Sequence, residues 1–103
     1  MIKRRGDKKK FKEFVQQIKS NPYSYYYLKT TIAKFKEEGI DINTQDYNGN
    51  TLLHIAIKLK NTRMLKMFIK SGVNINLANE AGNTPLHQAV INNRLDFVKV
   101  LIT

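Results

Sequence analysis

The stretch Thr-Leu-Leu-His-Ile-Ala at residues 51–56 recurs as Thr-Pro-Leu-His-Gln-Ala at residues 84–89. The two copies lie 33 residues apart, and eight of the 25 positions are identical when residues 46–70 are aligned with residues 79–103. A fixed period of this length is typical of stacked structural repeats, each of which has an apolar face that it cannot bury alone. We therefore divide the chain by this period.

Residues 46–78 form the one complete repeat, and their pattern predicts a turn followed by two helices. The turn residues Asp46-Tyr47-Asn48-Gly49 precede Thr51, whose hydroxyl can cap the first helix. Gly72 ends the second helix at a position where a left-handed conformation is favoured. The predicted core positions of the two helices are Leu53, Ile55, Ala56 and Ile57, then Met64, Leu65, Phe68 and Ile69.

The flanking segments are less regular. Residues 1–10 have no apolar periodicity and are predicted to be a flexible basic arm, and residues 11–45 form a degenerate first repeat, or cap. Residues 79–103 form a third repeat that stops before its final Gly, so either the array continues or the last helix leaves an apolar side open. The predicted core positions are Phe11, Phe14, Val15, Ile18, Tyr25, Leu28, Ile32 and Phe35 in the cap, and Leu86, Ala89, Val90, Phe97, Val98, Leu101 and Ile102 in the third repeat.

A period of 33 residues with Thr-Pro-Leu-His-x-Ala opening each unit resembles the ankyrin-repeat family. The resemblance covers residues 25–103 and is strongest over residues 39–103. It implies an all-α solenoid of stacked antiparallel helix pairs joined by hairpin-like loops. It also implies a non-catalytic scaffold whose partner is another protein.

The same resemblance implies where a partner binds, because that family uses loop tips and first helices on a concave surface. Tyr47, Leu59 and Ile91 are the expected anchors, since Leu59 and Ile91 are apolar where no helix stripe requires it. Carried over position by position, the expected contact residues are Tyr47, Asn48, Asn50, Lys58, Leu59 and Ala78, followed by Glu80, Ala81, Asn83, Ile91 and Asn92.

His54 and His87 are the two histidines of the chain, and they occupy equivalent places one repeat apart. Each follows a potential capping residue, Thr51 or Thr84, and Pro85 sits in the first turn, where its missing N–H costs nothing. We interpret both histidines as structural. No other ligand type clusters with them in the sequence, so we expect no metal site.

The distribution of charged residues supports one alternative function. The formal net charge is +10, and residues 1–20 carry eight Lys and Arg against Asp7 and Glu13. Such a segment is either a solubilising tail or a binding site for nucleic acid or another anionic surface. The neighbouring Tyr23, Tyr25, Tyr26 and Tyr27 could stack on single-stranded nucleic acid, but their spacing fits a helix better.

Other classes have no support in the sequence. There is no phosphate-binding Gly-rich motif, no G-x-S-x-G turn and no facing pair of acids, so we expect neither catalysis nor a cofactor. No apolar stretch approaches the roughly 20 residues that span a bilayer. The lack of Cys accords with a reducing compartment, and we expect a cytoplasmic protein, with an exported or host-cell destination as the alternative.

Overall fold

The computed structural model describes residues 5–22 and 24–102, with side chains from Lys8 onward. Within these residues the chain forms α-helices and no strand, as the sequence predicts. The helices are α1 (Arg5–Ser20), α2 (Tyr25–Glu37), α3 (Leu52–Lys58), α4 (Thr62–Lys70), α5 (Pro85–Ile91) and α6 (Leu95–Ile102).

The helices stack as three antiparallel pairs. Within the pairs, α1 packs on α2, α3 on α4 and α5 on α6. Between pairs, α3 packs on α5, while α2 packs on α4 and α4 on α6. The second helices therefore form an outer layer and α3 and α5 an inner one, which confirms the predicted solenoid.

The local sequence explains where the short helices α3 and α5 begin and where the chain turns after each of them. Thr51 and Thr84 have extended backbones, and each forms a capping box with the His three residues later. Lys60 and Asn93 follow α3 and α5 with φ angles of 57° and 55°. They take the left-handed conformation at the tight turn between helices, which costs non-glycine residues some stability. Gly72 has a φ of 91° after α4, as predicted.

The apolar stripes form one continuous core. The predicted positions of α3 are buried, and Met64, Leu65 and Phe68 of α4 are fully buried. In the first repeat, Phe14 stacks on Phe35 with ring centroids 4.5 Å apart. The continuous core also contains Phe11, Val15, Ile18, Leu28, Ile32, Ala89, Phe97 and Leu101.

Four predicted core positions were wrong. Tyr25 is half exposed, and Leu86, Val90 and Ile102 are 37%, 62% and 67% exposed. The equivalents of Leu86 and Val90 in the complete repeat, Leu53 and Ile57, are buried where α3 packs on α5. No described helix covers α5 in that way, so the third repeat keeps an open apolar side.

The first helix begins six residues earlier than its apolar stripe predicts. Residues 5–10, which the sequence placed in the flexible arm, belong to α1. Lysine and arginine are good helix formers, so a solvated basic turn can extend a helix beyond its apolar face. Residues 1–4 of the predicted arm, together with Tyr23 and Thr103, lie outside the described residues.

The open side predicts uneven stability along the array. Among the described residues, α6 has a neighbouring repeat on one side only, so nearest-neighbour stacking stabilises it less than α3. We expect amide protection factors in residues 97–102 to be at least about tenfold below those in residues 53–57, a difference of about 1.4 kcal/mol. Hydrogen exchange on the monomer measures this, and equal protection of the two segments would contradict it.

Candidate functional site

The loop tips that precede α3 and α5 are held by side-chain hydrogen bonds within each loop. Asp46 Oδ1 accepts the backbone N–H groups of Asn48 and Asn50, both at 2.9 Å. Asn79 Oδ1 accepts those of Ala81 and Asn83 at 3.1 Å and 3.0 Å. These bonds give each loop tip a defined backbone conformation.

Neighbouring tips are also bonded to each other. Glu80 donates its backbone N–H to the Asn48 carbonyl at 2.9 Å, and Asn79 Nδ2 donates to Asn50 Oδ1 at 3.1 Å. Gln45 Nε2 donates to the carbonyl of Ala78 at 2.8 Å. These bonds fix the second and third loops in register, so the residues they display keep a constant spacing.

His54 connects the two repeats from below the tips. The Thr51 backbone N–H donates to His54 Nδ1 at 3.0 Å, which assigns the proton to Nε2. Nε2 then donates to the Asn83 carbonyl of the next repeat at 2.8 Å. Burial lowers the pKa of His54, while the Asn83 carbonyl and the charge of Asp46 act in the opposite direction. The neutral ring is the form that completes this network.

His87 repeats the local half of that arrangement. The Thr84 N–H donates to His87 Nδ1 at 3.2 Å, and the His87 N–H donates to the Thr84 hydroxyl at 3.3 Å. Among the described residues, no carbonyl accepts from His87 Nε2 as Asn83 does for His54. His87 is exposed, whereas His54 is buried.

Two adjoining depressions lie on the loop tips and the first helices, and we call them together the inner surface. The first, about 380 Å³, lies between the tips. The second, about 570 Å³, runs from the tips over α3 and α5. They share Asn50 and Asn79. The first is lined by Asn48, Asn50, Asn79, Glu80 and Ala81, and the second by Asn50, His54, Ile55, Ile57, Lys58, Lys60, Asn79, Gln88, Asn92 and Arg94.

The inner surface thus brings together six of the residues that the sequence nominated: Asn48, Asn50, Lys58, Glu80, Ala81 and Asn92. The other five have different surroundings. Leu59 packs against the core, so packing already explains its apolar side chain. Asn83 and Ala78 offer their carbonyls to His54 and Gln45. Ile91 is 62% exposed at the end of α5, and Tyr47 is 72% exposed beside α1.

Among the lining residues that are not buried, sequence reasoning missed Lys60, Asn79, Gln88 and Arg94. Gln88 occupies the position of Ile55, and this apolar-to-polar change between repeats was the available signal. Arg94 Nη2 lies 2.8 Å from Asp96 Oδ2, and its guanidinium lies 4.3 Å from the Phe97 ring centroid. The hydrogen bond from Arg94 lowers the pKa of Asp96 to about 2. Arg94 is thus held in place at the edge of the inner surface.

The inner surface combines amide side chains with the cations Lys58, Lys60 and Arg94 and the carboxylate of Glu80. Asparagine and glutamine amides both donate and accept, so they can pair with the N–H and C=O groups of a peptide chain. Among the described residues, no group of three His, Asp or Glu side chains is placed to hold a metal ion. No helix in the described part of the chain is long and apolar enough to cross a membrane.

Comparison with known proteins gives the family. A family model described as Ankyrin repeats (3 copies) matches residues 10–103. The chain is 49% identical over 35 residues to an L-asparaginase of Dirofilaria immitis, which is 34% of this chain and 6% of that protein. It is 33% identical over 57 residues to alpha-latrotoxin-Lg1a of Latrodectus geometricus, which is 55% of this chain and 4% of the toxin. The chain therefore spans a small part of either relative. With a matching family model over most of its length and a 33-residue repeat of stacked helix pairs, the chain belongs to the ankyrin-repeat family, whose repeats are generally non-enzymatic modules for protein–protein interaction.

Proposed function

We propose that this chain binds another protein through its inner surface and has no catalytic role. The observation that carries the proposal is the continuity of the two depressions across the second and third repeats, through Asn50 and Asn79. Amide side chains line this surface, and bonds between the loops fix their spacing. A preorganised surface loses little conformational entropy on binding, which favours affinity.

Tyr47 and Ile91 are the proposed apolar anchors at the margins of this surface. Both are large and well exposed, at 72% and 62%. Tyrosine offers a broad contact area with few rotatable bonds, a profile common among interface residues that contribute most of the binding energy. Leu59 is a weaker candidate than the sequence indicated, because its side chain packs against the core.

The test compares two double variants against one partner captured by cross-linking in the source cell and then purified. The variant Tyr47→Ala with Ile91→Ala should lose at least about tenfold in affinity, or roughly 1.4 kcal/mol. The matched control, Tyr26→Ala with Ile75→Ala, removes two exposed apolar side chains outside the inner surface and should lose less than about twofold. Circular dichroism checks that both variants are folded.

Two outcomes would contradict the proposal. Equal losses in both variants would show that the inner surface has no special role. The competing function is binding of nucleic acid or an anionic surface by residues 1–20. It would be favoured if the affinity did not change on substitution of Tyr47 and Ile91 but fell steeply with added salt, because counterion release makes such binding strongly salt-dependent.

A further inference from the structure

A third depression, the basic groove, lies between α1 and the tip of the second loop. It has a volume of about 220 Å³ and is lined on one side by Lys8, Lys12 and Lys19 and on the other by Tyr47 and Asn48. The three lysines are separated by four and seven residues, so they share one face of α1. Part of the basic N-terminal segment is therefore a wall of a defined groove rather than a separate arm.

Lys8 builds this groove and does not remain free in it. Its Nζ donates to the carbonyls of Gln45 and Asp46, at 2.7 Å and 3.4 Å, and lies 5.3 Å from the centroid of the Tyr47 ring. Contact between an ammonium group and an aromatic face is attractive. Lys8 thus ties α1 to the loop tip and helps to orient Tyr47.

Lys12 and Lys19 are different, because both are exposed and neither bonds to a described residue. The one described carboxylate in the groove is Asp46, and its Oδ1 already accepts two backbone N–H groups of its own loop. The groove therefore presents two ammonium groups without a partner among the described residues, on helix positions about 10 Å apart at 1.5 Å per residue. This local excess of positive charge favours anionic groups of a ligand.

The basic groove continues into the inner surface, because Asn48 lines both. Beyond Asn48, the first depression of the inner surface is lined by amides, Ala81 and the negatively charged Glu80. Lys58, Lys60 and Arg94 lie farther on, in the second depression. A nucleic acid strand, with a charge on every phosphate, would meet Glu80 along this path. A peptide with its acidic residues confined to one end would avoid it.

We propose that the basic groove receives an acidic segment of the partner protein, with Asp or Glu carboxylates on Lys12 and Lys19 beside the Tyr47 ring. The residues next to this segment then lie in extended form along the inner surface, where Asn48 and Asn50 pair with the peptide backbone. This inference rests on the proposed function and specifies the chemistry of the partner. It also gives the basic N-terminal segment a role within the same interface.

The test uses displayed random 14-residue peptides selected on the wild-type protein. We expect the selected peptides to concentrate Asp and Glu in one half. The best sequence is then synthesised together with a matched peptide in which every acid becomes its amide, and the affinity of both is measured by fluorescence anisotropy at about 0.15 M salt. The acidic peptide should bind at least tenfold more tightly than the amide peptide.

Charge-reversed variants locate the site. Lys12→Glu with Lys19→Glu should weaken binding of the acidic peptide at least tenfold. The control, Lys66→Glu with Lys70→Glu, makes the same change in net charge on exposed positions of α4 in the outer layer and should weaken it less than threefold. The milder variant Lys12→Gln with Lys19→Gln covers the case in which charge reversal disturbs α1. In the wild type, NMR signals of Tyr47 and Asn48 should shift on peptide addition.

Several results would overturn the inference. The selection could yield neutral peptides or no peptide at all, or the two charge-reversed variants could lose equal affinity. A 14-nucleotide oligo(dT) could also bind more tightly than the acidic peptide, in a way that depends on Lys12 and Lys19. Neutral peptides that still shift the signals of Asn50 and Asn92 would overturn the acidic specificity while leaving the proposed function intact. If neither the selected peptides nor the captured partner binds to the inner surface, both proposals are overturned.

Discussion

Replacing Gly49 by alanine should lower the free energy of unfolding by roughly 2–3 kcal/mol. Gly49 has a φ of 77°, and a left-handed residue with a side chain costs about 1–2 kcal/mol. A Cβ added there would lie 2.6 Å from the backbone nitrogen of Glu80 and 3.0 Å from the Cα of Asn79. Relieving that clash must move the third loop and stretch the 2.9 Å bond from Glu80 to Asn48, which adds about 1 kcal/mol. Urea denaturation monitored by circular dichroism measures the loss.

Gly82 is a matched control for this experiment, because it occupies the same turn one repeat later. Its φ is 83°, and no described heavy atom lies within 4 Å of an added Cβ. Gly82→Ala should therefore cost only the conformational part, roughly 1–2 kcal/mol. Equal losses in the two variants would show that close approach of the loops does not matter, and the register of the loop tips would need another explanation.

The 33-residue period carries most of the information about the fold. It places Thr51 and Thr84 before their helices, the core positions of α3 and α4, and the left-handed Gly72 after α4. Periodicity fails where burial depends on a neighbour instead of on the helix itself. Val90 has the pattern of a core residue, yet it is 62% exposed, because no described helix covers that side of α5.

The candidate site was less accessible to sequence reasoning, for a related reason. Loop-tip residues such as Asn48 and Glu80 could be nominated from the repeat register alone, since every repeat presents the same positions. The basic groove could not, because it depends on α1 beginning at Arg5 and on Lys8 reaching the second loop. Neither feature produces a periodic pattern in the sequence. A segment of charged residues without an apolar stripe has the same pattern as a solvated tail.

Replacing His54 by alanine should lower the free energy of unfolding by about 2–3 kcal/mol. The change deletes the Nε2 bond to the Asn83 carbonyl, which still accepts the Asn79 N–H, and the Nδ1 bond from the Thr51 N–H, which is then buried without an acceptor. His87→Ala is the matched control, because His87 makes the local bonds at an exposed position. We expect it to cost about 1 kcal/mol, near the usual cost of a lost helix cap. Denaturation midpoints of the two variants at pH 7.5 give the comparison.

The same histidine should make the fold sensitive to mild acid. Since burial lowers the pKa of His54 in the folded chain, the unfolded chain binds a proton more readily once the pH falls below about 6.5, the ordinary histidine value. Stability contributed by the neutral ring is therefore present above that pH and is lost as the pH falls toward the folded-state pKa. Protonation of Nδ1 would also remove the acceptor for the Thr51 N–H. Wild-type stability should fall between pH 7.5 and pH 5 by more than that of His54→Ala. Parallel pH profiles for the two proteins would show that His54 does not titrate with unfolding and that acceptance of the Thr51 N–H by a neutral ring does not contribute to stability.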